Sequence, residues 1–447
     1  MKFVIIGGDA AGMSAASRAK RKDPNMEVIV LEQTFDVSYS ACGMPYNIAD
    51  PKRDMETLVV RKARIFIEKN RINLLIGHRV TDIDRTAKKV FGVTIGGESF
   101  SFDYDKLFIA TGASSLRPDL PGIDLPQVMA LKSLEQGKQI KYYLEKNPIK
   151  KAVIIGMGYI ALEMCEAFEK SGIKTSMVKP GPVFLPWLSP DLADVIYHEL
   201  TNKGIDIYPG VPIERIEPLG NSVQVICENL ILDADLVLVA MGVKPCSKIA
   251  KEAGLDIGIA GSIAVDNYLQ TSDNNIYAAG DCADAFHLVS DSKCWIPLAL
   301  RANRAGWAVA DNVCGTQTSL QGVTGTSVFK VFSLEVARSG LNFKEAKKAG
   351  FDPVENNVKT RSRAHGHPGS TPIHINMVAD KKTGRLLGAQ MVGKEGVAHR
   401  INAVAVALHN KMTVKDFSQT DLAYAPPFGP VWDPLLTAAN QLVKKIL

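Results

Sequence analysis

Cys42 sits in the stretch DVSYSACGMPYNI, residues 36 to 48, with Gly43 and Pro45 close behind it. A dithiol of the C-x-x-x-x-C kind would need its second cysteine at position 37 or 47, and those residues are Val37 and Asn47. Cys42 is therefore either a small buried residue or a lone nucleophile whose second sulfur comes from outside the motif. Pro45 suits the first turn of a helix beginning near Cys42. A helix N-terminus favours thiolate and lowers its pKa, so an activated sulfur is the expectation. The other cysteines are Cys165, Cys227, Cys246, Cys282, Cys294 and Cys314, and no two form a C-x-x-C pair. Cys165, Cys227, Cys282 and Cys314 read as structural, and Cys246 and Cys294 remain open. An odd total without C-x-x-C spacing argues against a disulfide scaffold or a cysteine zinc site, so no metal is expected, and for a reducing cytoplasm.

Two glycine turns could bind dinucleotides. The first is Gly7-Gly8-Asp9-Ala10-Ala11-Gly12, after the apolar run KFVIIG. In a G-x-G-x-x-G turn the backbone approaches a pyrophosphate, and the following helix offers free N–H groups and a positive dipole end. Asp9 departs from the pattern by standing at the second glycine position, where it either points away or binds water. Glu32 ends the next run, EVIVLE, where an acid binds a ribose 2′-hydroxyl. The second turn is Gly156-Met157-Gly158-Tyr159-Ile160-Ala161, and here the strand-end residue is Lys179. A cation at that place favours a 2′-phosphate and hence NADPH over NADH; the alternative is a solvated surface lysine. Two such sites imply electron transfer between two cofactors. Asp281, closing NIYAAGD, is placed to bind flavin ribityl hydroxyls or to cap a helix.

These turns need strand–turn–helix units to hold them. A β-α-β opening spans residues 2–32, and a second begins at 152 and ends at 179. KLFIATG (106–112) and ADLVLVAMG (234–242) are further buried strands ending in glycine, followed by Pro118 and Pro245. After about 322 the texture changes to antiparallel strands, a helix over GVAHRINAVAVALHNK and a Pro-rich turn before a closing helix. With 447 residues the chain holds two to four domains. The expectation is an α/β fold: two Rossmann-like dinucleotide-binding domains plus a C-terminal α+β dimerisation domain. The boundaries read as 1–112 with 244–322 for one dinucleotide-binding domain, 113–243 for the other and 325–447 for the last domain. A net charge of +5 without a dense basic run does not suggest nucleic-acid binding. The N-terminus lacks a signal-peptide pattern and no stretch is apolar enough to span a membrane, so a cytoplasmic protein without a membrane partner is expected.

GGDAAG, SYSACGMPY, ATGASSLRP, GMGYIALE, IYAAGDCAD, PLALRANRAG and DLAYAPPF, in this order, resemble the flavin-dependent pyridine nucleotide–disulfide oxidoreductases over nearly the whole chain. The likeness is to the single-cysteine branch, nearest to coenzyme A-disulfide reductase and its CoA persulfide or polysulfide relatives. It implies FAD, NADPH or NADH, a CoA-type thiol or disulfide substrate with CoA retained as a bound thiol, and a homodimer. Hydride would pass from NAD(P)H through flavin to a Cys42 mixed disulfide. It further implies FAD contacts at Gly7, Gly8, Ala10, Ala11, Gly12, Glu32, Ser40, Arg61, Val80, Ala110, Thr111, Gly112, Gly280, Asp281, Pro297, Leu298 and Ala299. Gly156, Gly158, Tyr159, Ile160, Glu163, Lys179 and Gly242 would serve the nicotinamide nucleotide, with Tyr159 an aromatic lid over the flavin and Glu163 the acid near the nicotinamide. Arg18, Arg21, Ser38 and Ala41 match the CoA site, the two arginines on one helix face against CoA phosphates. Tyr424 matches a tyrosine that reaches the partner subunit's active site. The chain departs from that branch in three places. Ala41 replaces a frequent Asn, Gly366 and His367 stand in a Tyr-rich segment where His367 could serve as proton donor, and Ala10 replaces the histidine of peroxidase and oxidase relatives. No rhodanese-like domain is expected after residue 447, unlike in some polysulfide-reducing relatives. The alternatives are an NAD(P)H oxidase that reduces O2 and a flavin electron carrier or redox sensor.

Overall fold

The computed structural model describes residues 1–446. Lys2–Ile6, a short apolar run, forms a strand with four consecutive buried residues, as a strand covered on both faces must. It enters helix α1 (Ala10–Lys22) through the first glycine turn and returns as Glu27–Glu32. The loop that follows carries Cys42 into the one-turn helix α2 (Met44–Ile48). These strands belong to a parallel sheet in the order Ile276–Ala278, Lys106–Ile109, Lys2–Ile6, Glu27–Glu32, Asn73–Ile76.

The second glycine turn repeats the arrangement. Lys151–Ile155 leads into α3 (Tyr159–Lys170) and back through Lys174–Lys179. Its sheet is also parallel, ordered Asp206–Pro209, Lys174–Lys179, Lys151–Ile155, Leu236–Val239, Val128–Ala130. Because Ile276–Ala278 rejoins the first sheet, the second unit is inserted within the first. Helix α4 (Ala299–Val313) then packs on α1 so closely that a Cβ at Gly306 would lie 2.3 Å from the Ala11 carbonyl oxygen.

The remainder is a five-stranded antiparallel sheet, ordered Ser327–Val331, Leu334–Gly340, Leu386–Gly393, Pro372–Asp380, Pro353–Arg361. Helices α5 (Val397–His409) and α6 (Pro434–Ile446) pack on it. Sequence reading missed Pro353–Arg361, where PVENNVKTR carries little apolar alternation, and Pro372–Asp380, although Ile373, Ile375 and Met377 alternate there. It also missed two three-stranded antiparallel sheets, within 78–103 and 213–234. Cys294 ends the short strand Ser292–Cys294.

A buried carboxylate joins the second unit to the third. Glu166 on α3 is 3% exposed. It accepts from Lys170 Nζ at 2.6 Å, Lys330 Nζ at 2.7 Å and the Phe332 N–H at 2.7 Å. Burial works against its ionisation, yet the hydrogen bonds from Lys170, Lys330 and Phe332 hold its pKa below the usual 4.5. A depressed carboxyl stabilises the fold above its unfolded pKa and loses that contribution as pH falls through the folded value. Glu166→Gln is therefore expected to lower stability by about 2–3 kcal/mol near neutral pH. In thermal melts the gap to wild type should close below pH ~4.5; a pH-independent gap would count against the ion pair.

Candidate active site

The two glycine turns are shaped by the chain's own packing and leave space for a ligand. Gly7 has φ +109° and Gly156 φ +125°, and a Cβ on either would lie 2.2 Å from a carbonyl oxygen, of Ala110 and Ala240 respectively. A Cβ on Gly12 would lie 1.9 Å from Gly7 O. Gly158 differs, since nothing lies within 4 Å of its added Cβ. No protein atom demands glycine there, which suits a position kept bare for a pyrophosphate. Neither α1 nor α3 has a side-chain N-cap hydrogen bond, so the first N–H groups of both helices remain available to a ligand. Gly112 and Gly242, at φ +69° and +107°, likewise have no backbone near an added Cβ.

Asp9 occupies the position equivalent to Gly158. It is the N-cap residue of α1, yet its carboxylate turns to the Cys42 loop and accepts from the Tyr39 N–H at 3.3 Å. The Ser38 N–H also donates to Gly8 O, at 3.2 Å, with Ser38 in the left-handed region at φ +51°. Of the two expectations for Asp9, pointing away from the helix end is the one found. Burial raises its pKa from 3.8 to about 6, with Glu32 and Asp281 adding to the effect and Lys132 opposing it. Glu32 accepts from the Gly8 N–H at 2.7 Å and the Thr34 N–H at 2.8 Å, which aims it at the first turn.

Cys42 lies in a three-residue 3-10 turn, Ala41–Gly43, ahead of α2. Cys42 is exposed. The expected lowering of its pKa is not found. Burial first and Glu163 next push the thiol above its ordinary range, and Lys132 is the group that works the other way. α2 is five residues long, too short to outweigh burial and a nearby carboxylate. Two residues that sequence reading did not select complete the cluster. Tyr46 donates from its hydroxyl to Glu163 Oε1 at 2.7 Å, and Lys132 pairs with Asp281 at 3.0 Å. Tyr46 follows Cys42 by four residues, which was a readable signal; Lys132 lies in no motif and only the tertiary fold brings it in. Burial raises the pKa of Glu163 despite the Tyr46 hydrogen bond.

The remaining candidates sort by place. The Thr111 hydroxyl donates to Cys246 O at 2.6 Å and the Cys246 N–H to Gly112 O at 2.9 Å, which fixes the strand end beside Ala110. Arg301 donates to Gly280 O at 3.3 Å, and Pro297, Leu298 and Ala299 form the entry to α4. Ser40 donates its N–H to Leu58 O at 2.8 Å, Arg61 lies 5.3 Å from the Phe66 ring, and Val80 is buried. Arg18 is not a free phosphate ligand: it forms a two-point pair with Asp311 on α4, at 2.8 and 2.7 Å. The reason is the α1–α4 packing, which brings a buried carboxylate to that helix face. Arg21 is exposed, with no ion pair among the described residues. Lys179 folds back to donate to Val183 O at 2.9 Å. His367 and Tyr424 lie in neighbouring segments, joined by the Ala364 N–H to Pro426 O at 3.1 Å. Tyr424, Phe428, Val431 and Trp432 form an exposed apolar run. Among the described residues no cluster of three or more His, Cys, Asp or Glu could hold a metal, and no helix is long and apolar enough to cross a membrane.

Residues 1–306 match the family model for pyridine nucleotide-disulphide oxidoreductases, and 326–434 match the dimerisation domain of the same family. The chain belongs to the pyridine nucleotide-disulphide oxidoreductases. It is 38% identical over 442 residues to an NAD(P)H sulfur oxidoreductase (CoA-dependent) of Pyrococcus furiosus, covering 99% of each chain. It is 32% identical to an NADH oxidase of Methanocaldococcus jannaschii, covering 100% of this chain and 99% of the relative. The solved structure of an NAD-dependent persulfide reductase from A. fulgidus superimposes with a TM-score of 0.96 at 36% identity, covering 100% of this chain and 83% of that one. Like the family, this oxidoreductase uses FAD and NAD(P)H, and the bare N–H groups at both glycine turns fit two dinucleotides. A carboxyl with a raised folded pKa stabilises most below its unfolded pKa and loses that contribution as pH rises through the folded value. Asp9→Asn should therefore gain on wild type by roughly 2 kcal/mol between pH ~4.5 and ~7.5. Parallel thermal-melt profiles for the two proteins would contradict that placement of the carboxylate.

Proposed function

We propose that this flavoenzyme reduces CoA disulfide, or a CoA persulfide or polysulfide, with NAD(P)H, through a mixed disulfide on Cys42. The observation that carries the reading is an exposed Cys42 whose loop is hydrogen-bonded to the first glycine turn and, through Tyr46 and Glu163, to the helix that leaves the second, with no second cysteine in that loop. The relatives named as CoA-dependent sulfur oxidoreductase and, in Staphylococcus aureus, coenzyme A disulfide reductase at 28% identity support the choice of thiol. We read 1–112 with 244–322 as the FAD-binding part and 113–243 as the NAD(P)H-binding part.

In this reading the Cys42 thiolate attacks one sulfur of R–S–S–R, forming Cys42–S–S–R and releasing R–S⁻. Lys132 is the cation that favours the thiolate, against burial and Glu163. The proton for the released thiolate comes from Tyr424 or His367, whose exposed segment would reach the active site of a second copy. FAD, when held at the first glycine turn, would supply the two-electron chemistry from NAD(P)H by which Cys42–S–S–R returns to the Cys42 thiolate and a second R–S⁻. Tyr46 holds Glu163 in place beside the nicotinamide position, and Tyr159 stands as the lid. Ser38, Ala41 and Arg21 line the approach of the CoA end, Arg21 now without the help of Arg18. Lys179 would leave Val183 O to bind a 2′-phosphate. We also read the protein as a cytoplasmic homodimer, in keeping with free cysteines and an exposed Tyr424–Trp432 run.

The M. jannaschii relative named NADH oxidase keeps O2 reduction as the second reading. Cys42→Ser should lose nearly all turnover with CoA disulfide or polysulfide, and mass analysis of the unreduced protein should show a CoA adduct on the Cys42 peptide. Full turnover with the best acceptor in the Ser variant would end the cysteine mechanism. Lys179→Ala should reduce the NADPH-to-NADH ratio of kcat/KM by about tenfold, one charge contact being worth on the order of 1–2 kcal/mol. An unchanged ratio would leave Lys179 as a loop staple.

A further inference from the structure

Tyr159, the first residue of α3, does not stand alone. Its ring centroid lies 4.9 Å from that of Trp187, edge-on at 76°, and 4.9 Å from that of Phe329 at 44°. Trp187 and Phe329 themselves meet at 5.9 Å and 62°. The Tyr159 hydroxyl lies 3.4 Å from Ser327 Oγ. Ser327 and Phe329 are two residues apart on the first strand of the C-terminal sheet, so they share a face. Trp187 comes from the loop after Lys174–Lys179, the loop that Lys179 fastens through Val183 O.

The cage is itself anchored by the C-terminal sheet. Trp187 O accepts from Gln390 Nε2 at 2.7 Å and from Asn342 Nδ2 at 3.3 Å. The other end of the same carboxamide, Gln390 Oε1, accepts from the Ser189 N–H at 2.7 Å. Gln390 is 2% exposed and Phe329 is 8% exposed, so neither can follow a moving ring without disturbing the sheet. Edge-on and tilted ring pairs at these separations attract beyond their area burial. Displacing the Tyr159 ring from this seat breaks two of them.

We infer that Trp187 and Phe329 are positioning residues that set how readily the Tyr159 ring yields to the nucleotide, so that the C-terminal sheet tunes NAD(P)H affinity. The inference rests on the lid role given to Tyr159 above. The cage opposes nucleotide entry without touching the reacting atoms, and loosening it favours binding.

The test is anaerobic stopped-flow reduction of the holoenzyme by NADPH, varying nucleotide concentration. In Phe329→Leu the dissociation constant for NADPH should fall by about three- to tenfold, the weight of one or two ring pairs, with the limiting rate of flavin reduction within about twofold. Trp187→Phe, which keeps an apolar ring, should move it the same way by less and serves if Phe329→Leu does not fold. Placed on a Tyr159→Ala background, either change should have no further effect, because the coupling runs through the missing ring. An unchanged dissociation constant in the single variants, or a shift that persists without Tyr159, overturns the cage. If Tyr159→Ala alone binds NADPH as wild type does, the lid reading fails and takes the cage with it, a result distinct from a cage that fails around a working lid.

Discussion

One face of α3 fixes the relation between the three parts of the chain. Tyr159, Glu163 and Glu166 fall at i, i+4 and i+7, so a helix places them in a line. Tyr159 meets Trp187 of its own unit and Phe329 of the C-terminal sheet. Glu163 accepts from Tyr46, four residues past Cys42. Glu166, buried, takes the Lys330 ammonium and the Phe332 N–H. A rotation or slip of α3 would break all three contacts together. That constraint ties the Cys42 loop and the C-terminal sheet to the helix that begins at the second glycine turn.

The sulfur side is held by backbone. The loop bearing Cys42 is tied to the first glycine turn by the Ser38 N–H to Gly8 O and by the Tyr39 N–H to the Asp9 carboxylate. Asp9 thus has a structural use that a glycine at the same place could not supply. The cost is a half-buried carboxyl beside the site of a pyrophosphate, with Glu32 and Asp281 near it. Cys42 meets a related conflict. Its loop leaves it exposed, while burial and Glu163 disfavour the thiolate and Lys132 is the charge that opposes them. Lys132 is held in turn by Asp281.

Much of the fold was legible in the sequence because its signals are local. Apolar runs ending in glycine marked the buried strands at 2–6, 106–109, 151–155 and 236–239, and the structure has strands at each. Pro353–Arg361 was not legible, since its pattern depends on which partners cover it. Arg18 and Arg21 looked equivalent by spacing; α4 made them different by bringing Asp311 to one of them. The helix behind Cys42 was legible from Pro45, but its weakness was not, because a helix's length and the charges facing it are set by the surrounding chain.

By itself, then, the sequence determined the glycine turns, the doubled β-α-β pattern, the lone sulfur and the absence of a partner at Val37 or Asn47. All of these are properties of residue type and short-range spacing. Only the tertiary structure decided which charges face Cys42, that Lys132 belongs to its surroundings, that Tyr46 reaches Glu163, and that Tyr159 sits against the C-terminal sheet. Those relations join residues far apart along the chain, such as Tyr46 to Glu163 or Glu166 to Phe332. Their geometry comes from how sheets and helices pack, which residue spacing alone does not encode.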